Sequence, residues 1–197
     1  MSTFGNLVVR VVEGDVAQVE ADALATAINP GGMWFGGIDG VIGRAVGSMF
    51  HDQAEAVRRS KGLAHGDTVV ARATRLHRGR FGDVVFVVDA LEGPLRVVVG
   101  AALRAADAAG YRTLSLPAIR TGVMLGVVEK DAASAVREIV VGIGEFAPGA
   151  RSLRELMIVV FGAPQIAELI RATLPRAVLD DALDISKIEI GLAEERR

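Results

Sequence analysis

The chain has 197 residues, 51% of them hydrophobic, and its 22 basic and 24 acidic side chains leave a formal net charge of −2. That is the length of one domain, or of one domain with an appended tail. Near-neutrality excludes a global attraction to nucleic acid or an anionic membrane, and the absence of cysteine excludes disulfides, thiolate metal sites and a thiol nucleophile. Any phosphate binding must therefore be local and built from backbone dipoles.

In chain order, Leu7–Val12 reads as a strand stopped by Glu13-Gly14-Asp15, with a short helical turn at Val16–Glu20. Ala23–Ile28 is a compact apolar run ending at Asn29-Pro30-Gly31-Gly32, the pattern of a buried central strand. From Asp39, the recurrence of Ile42, Val46, Met49, Gln53 and Val57 predicts one long helix to about Ser60, closed by Gly62. Asp67–Thr74 and Phe81–Val88, joined across Leu76–Arg80, read as a hairpin. Pro94 opens a helix that ends at Gly110. Thr113–Leu116 is a strand, Glu129–Phe146 a helix, Leu156–Phe161 a strand and Pro164–Leu174 a last helix.

Strands alternating with helices predict a central sheet covered on both faces, and the hairpin makes that sheet mixed. After Pro175 the chain is charge-rich without clear periodicity: a tail, an edge strand around Ile185–Ile190, or an oligomer contact. The N-terminus lacks a basic-then-apolar leader, and no stretch reaches the ~20 apolar residues of a membrane span. The expectation is a soluble, cytoplasmic protein.

Two glycine-bearing loops stand out, Gly36-Gly37-Ile38-Asp39-Gly40 and Thr121-Gly122-Val123-Met124-Leu125-Gly126. Each follows a strand-like run and leads into a helical pattern, where backbone N–H groups are left free to hold an anion. Two such cradles on one sheet suit a nucleotide diphosphate. Asn29 stands at the carboxyl end of a strand and Asp39 at the start of a helix, beside the crevice where open α/β sheets bind ligands. Alone, these residue types are equally at home as a turn residue and an N-cap. A helix N-terminus favours a carboxylate as acceptor, so Asp39 is expected to be an acceptor able to orient a water.

Three motifs in register carry a specific resemblance. Glu13-Gly14-Asp15-Val16, Asp22-Ala23-Leu24-Ala25-Thr26-Ala27-Ile28-Asn29 and Gly36-Gly37-Ile38-Asp39-Gly40-Val41-Ile42 are similar to the opening signature of the macrodomain family, and Leu116–Gly126 resembles its second glycine loop. The match spans residues 7–174. It implies a three-layer α/β/α sandwich with a central mixed sheet over residues 1–175, followed by a C-terminal extension, 176–197.

The resemblance also implies ADP-ribose binding, in some members with hydrolysis of mono-ADP-ribosyl esters, O-acetyl-ADP-ribose or ADP-ribose 1″-phosphate. Carried over by position, Asp15 accepts the adenine amino group beside Val16. Gly36, Gly37 and Ile38 line the diphosphate and distal ribose, with Thr121, Gly122, Val123 and Met124 closing from the other side. Phe161 is either an adenine-stacking aromatic or a strand-end core residue. Asn29 and Asp39 are the implied catalytic pair, holding the distal ribose and a water, and the scheme calls for no metal and no cofactor.

The chain departs from the family pattern at Thr26, which replaces an Asn, and at Trp34 and Phe35, which replace glycines. Those two rings either narrow the pocket, act as a lid, or face outward. Gly43 stands where the family often has a histidine, Arg120 replaces a small residue and Met124 an aromatic. Arg120 beside a loop reads more readily as a solvated side chain than as a phosphate ligand.

His51, His65 and His77 lack metal-ligand spacing and read as surface or helix-face residues. Gly142-Ile143-Gly144 follows a helix, the wrong context for a dinucleotide fingerprint. Arg72, Arg75, Arg78 and Arg80 read as a solvated edge that discourages strand pairing. Against the hydrolase reading stand a non-catalytic reader of ADP-ribosylated partners and, more remotely, an RNA-associated module using the arginine hairpin.

Overall fold

In the computed structural model the described residues are 1–31 and 37–174. The expectations for Trp34, Phe35 and Gly36 and for the extension 176–197 lie outside them.

The strands are β1 (Ser2–Phe4), β2 (Leu7–Glu13), β3 (Ala21–Ile28), β4 (Thr68–Ala71), β5 (Phe81–Val88), β6 (Thr113–Pro117) and β7 (Glu155–Val160). The helices are α1 (Gly37–Val46), α2 (Met49–Lys61), α3 (Leu95–Ala108), α4 (Ala132–Phe146) and α5 (164–174). Among the described residues the strands form one seven-stranded sheet in the order β1-β2-β7-β6-β3-β5-β4. The β1/β2 and β4/β5 pairs are antiparallel and the rest parallel, so the sheet is mixed as the hairpin predicts.

Alternation along the central strands sorts side chains onto two cores. On β5, Val85 and Val87 face the layer of α3, α4 and α5, together with Leu95, Ile139, Ile143 and Ile170. Val84, Phe86 and Val88 point the other way, against Ile42 and Val46 of α1 and Phe50 and Ala54 of α2. Two apolar faces on one sheet, each covered by helices, make the three-layer sandwich.

The predicted helix from Asp39 to Ser60 is in fact two. Gly47, at φ 73°, donates its N–H to Gly43 O (2.8 Å) and ends α1, and Ser48 O accepts from Asp52 N (2.8 Å) as α2 begins. Ser48 Oγ also donates to Asp52 Oδ2 at 2.7 Å. The apolar period runs through the break because both segments pack on the same face of the sheet, which is why periodicity alone misses it. The helix expected from Glu129 starts instead at Ala132, capped by Asp131, whose Oδ1 accepts from Ser134 N at 2.7 Å. Glu129 itself is buried and engaged elsewhere. The N-terminal β1 is an element that the sequence pattern misses.

Gly142, on α4, sits where a Cβ would lie 2.9 Å from Arg96 O and 3.2 Å from Val99 Cβ of α3. Its glycine allows the two helices to approach. That explains the Gly142–Gly144 segment without a nucleotide.

Candidate functional site

The carboxyl ends of four neighbouring parallel strands, β2, β7, β6 and β3, open on one cleft of about 780 Å³. Its lining includes Asp15 and Val16 after β2, Phe161 after β7, residues 117–124 after β6, and Gly37, Ile38 and Asp39 at the start of α1. Among the described residues, those that the sequence nominates are brought together by the fold except Asn29, which is half-buried just past β3 and not part of the lining.

At one end, Glu13 is paired with Val160 and Gly14 donates its N–H to Val160 O at 3.0 Å, so the chain segments carrying Asp15 and Phe161 leave the sheet side by side. Asp15 Oδ1 accepts from Ala17 N at 2.9 Å, capping the short helical turn Val16–Gln18. Val16 is buried against the core, whereas Phe161 is 76% exposed. The core alternative for Phe161 is therefore wrong.

In the middle, the loop after β6 is tethered by Ala118 N to Val159 O (3.1 Å) and by Thr121 Oγ1 to Ala118 O (2.7 Å). Further on, Leu125 N donates to Gly122 O and Gly126 N to Glu129 O. Among the described residues the N–H groups of Gly122, Val123 and Met124 donate to no protein acceptor. Three successive free amides at the lip of a cleft form an anion-binding concavity. The loop does not run straight into a helix as the sequence pattern indicates, since turns occupy the chain up to Asp131. Its anion-binding capacity is that of a turn, without a helix dipole behind it.

What holds this loop is a buried ion cluster. Arg120 has φ 60°, unusual for a residue with a side chain, and is only 5% exposed. Its guanidinium donates from Nε to Asp89 Oδ2 (2.8 Å), from Nη2 to Asp89 Oδ1 (2.5 Å), and from Nη1 to both Glu129 oxygens (2.9 Å each) and to Gly93 O (2.9 Å). Glu129 Oε1 also accepts from Leu95 N (2.9 Å), the first residue of α3, and Asp89 Oδ1 from Leu91 N (2.9 Å). Burial pulls the Arg120 pKa down, but the hydrogen bonds and charges of Asp89 and Glu129 outweigh it and raise the pKa. The expected solvated arginine is thus an internal strut. Its partners stand 31 residues upstream and nine downstream, separations with no sequence signature.

At the far end, Asp39 lines the cleft and its Oδ1 lies 3.5 Å from His51 Nε2 of α2. Both side chains are largely buried, at 16% and 11% exposed, so of the surface and helix-face readings His51 takes the helix-face one. Reading one straight helix puts His51 twelve residues, or about 18 Å, beyond Asp39. The break at Gly47-Ser48 folds it back. The other histidines are also partly buried: His65 Nδ1 accepts from Ala90 N (3.2 Å), and His77 packs edge-on to Phe50 at 5.6 Å.

Two of the hairpin arginines are engaged in ion pairs, Arg72 with Asp83 (2.9 Å) and Arg80 with Glu20 (2.7 Å). Among the described residues no group of three or more His, Asp or Glu is placed to hold a metal, and no helix is long and apolar enough to cross a membrane.

The sequence profile of the macro domain matches residues 25–136, more than half of the chain. An uncharacterized protein of Pyrobaculum aerophilum is 32% identical over an alignment covering 80% of this chain and 86% of its own length. This chain belongs to the macro domain family. Another relative, the O-acetyl-ADP-ribose deacetylase of an Enterobacter species, is 36% identical over 58% of this chain and 67% of that protein.

Solved macro domains share the fold at low identity. The Oceanobacillus iheyensis macrodomain with ADP superposes at TM-score 0.72 and 17% identity, over 91% of this chain and 97% of that one. The Trypanosoma brucei macrodomain in complex with ADP-ribose does so at TM-score 0.65 and 19% identity, over 82% and 67%. The family assignment accounts for the mixed sheet, the covered faces and the cleft at the strand ends.

Proposed function

We propose that this macro domain binds ADP-ribose in the cleft and hydrolyses a derivative of it at the distal ribose. The observation that carries the reading is the run of three residues with free amides, Gly122, Val123 and Met124, lining the same cleft as Asp39. In this reading the adenine lies between Phe161 and Asp15, whose Oδ2 accepts from the exocyclic amine. The diphosphate rests on the 122–124 amides, with Thr121 beside them, and on Gly37 and Ile38 opposite. The distal ribose reaches Asp39.

Asp39, as a carboxylate, accepts a hydrogen bond from a water and aims it at the scissile linkage, while the ligand's own phosphate helps to take its proton. Acceleration comes from orientation and fixed dipoles. The substrates to try first are O-acetyl-ADP-ribose, mono-ADP-ribosyl esters and ADP-ribose 1″-phosphate, since several relatives bear the name O-acetyl-ADP-ribose deacetylase.

The test is calorimetry with ADP-ribose together with product release from these three substrates, on the wild type and Asp39→Ala. The expected result is binding by both proteins and turnover lost on the order of a hundredfold or more in the variant. Absence of binding at millimolar ligand refutes the reading. Binding without turnover leaves the second reading, a non-catalytic reader. What favours that alternative is Asn29, which does not line the cleft.

A further inference from the structure

We propose that His51 is the positioning residue for Asp39: its Nε2–H holds Oδ1 of the carboxylate so that Oδ2 faces the ligand. Asp39 Oδ1 is shut off from solvent and accepts no hydrogen bond within the standard limits, a costly state for an ionised oxygen. His51 Nε2 lies 3.5 Å from it. A small approach turns that contact into a charge-assisted hydrogen bond. Pairs of this kind are often long in an unliganded site and tighten when it fills.

The fold fixes the histidine for this role. Its ring is tilted against Phe86 of β5 at 5.3 Å between centroids, so it cannot swing freely. The α1–α2 break delivers it from a separate helix. On α1 itself, Gly43 stands one turn beyond Asp39, and open space lies where its Cβ would be. No side chain from Asp39's own helix takes that position. Because a carboxylate only accepts, the imidazole nitrogen facing it must carry the proton. That assigns the tautomer.

The consequence for turnover rests on the hydrolytic reading, whereas the pair itself rests on geometry alone, and the test separates the two. In the first arm, turnover and ADP-ribose affinity are measured for His51→Ala, His51→Gln, Asp39→Ala and the His51→Ala/Asp39→Ala double variant. His51→Ala is expected to lower kcat on the order of tenfold to a hundredfold, the scale of a misplaced reacting group. KM and ADP-ribose affinity should stay put. His51→Gln, which retains an N–H donor, should recover most of the loss, and the double variant should be no slower than Asp39→Ala. Additive losses, or a folded His51→Gln as slow as His51→Ala, overturn the proposal.

In the second arm, nitrogen NMR of the histidine rings follows His51 in the wild type and in Asp39→Asn, with and without ADP-ribose. A protonated Nε2 whose resonance moves with ligand, and moves less in Asp39→Asn, supports the pair. A resonance indifferent to both overturns it. Should the wild type bind ADP-ribose without turning anything over, the hydrolytic reading fails and this second arm decides the inference. The NMR and His51→Gln also serve if His51→Ala does not fold.

Discussion

Arg120 Nη1 bonds both carboxylate oxygens of Glu129 at 2.9 Å, with the two side chains only 1% and 5% exposed. This contact ties the beginning of the second glycine loop to its end and, through Glu129 and Leu95 N, to the start of α3. The loop's open amides are thus held by a buried framework of ion pairs. Replacing Arg120 with Met strands two buried carboxylates, which is expected to cost roughly 3–5 kcal/mol. Urea denaturation measures it. Any folded fraction should also bind ADP-ribose more weakly, because the amides lose their fixed directions.

Phe161 exposes an apolar ring beside Asp15 at the rim of the cleft. Phe161→Ala should therefore leave thermal stability nearly unchanged. Loss of a stacking partner should weaken ADP-ribose binding by about 0.5–1.5 kcal/mol, read by calorimetry.

Gly142 is expected to behave in the opposite way. Gly142→Ala places a methyl 2.9 Å from Arg96 O, a backbone atom that cannot rotate aside. Overpacking of this kind costs about 1–3 kcal/mol, and the melting temperature should fall while ligand affinity per folded molecule holds.

Acid should destabilise the domain through Asp83 and Asp107. For each, burial alone would raise the pKa but is outweighed: at Asp83 by hydrogen bonds from Tyr111, Ala73 N and Arg72, at Asp107 by the N–H groups of Leu153, Ser152 and Arg151. Both folded-state values lie below the ordinary carboxylate value. Their contribution is accordingly present above the unfolded-state pKa of about 4 and is lost as pH falls through the folded-state values. Denaturant midpoints measured from pH 6 downward should drop, and Asp107→Asn should flatten part of that slope.

The parts of the site legible in the sequence are those built from backbone. Glycine loops after apolar runs announce strand ends, and the family resemblance puts Asp15, Asp39 and Thr121–Met124 at those ends, where the cleft is found. Side chains that act across the fold are illegible. Arg120 looks like any loop arginine until Asp89 and Glu129 close around it. His51 falls out of reach of Asp39 if the apolar period is followed through Gly47. Its signal was present in the Gly47-Ser48 pair, a helix stop followed by a start, but a continuous hydrophobic face masked it.

The strand order β2-β7-β6-β3 also makes the sheet a ruler. With neighbours about 4.8 Å apart, the distance from the β2 end to the β3 end is about 14 Å. On the proposed reading, a mononucleotide seated by Asp15 would stop short of Asp39, so molecules that share only the purine and its first phosphate should compete for the cleft while leaving the Asp39 end empty.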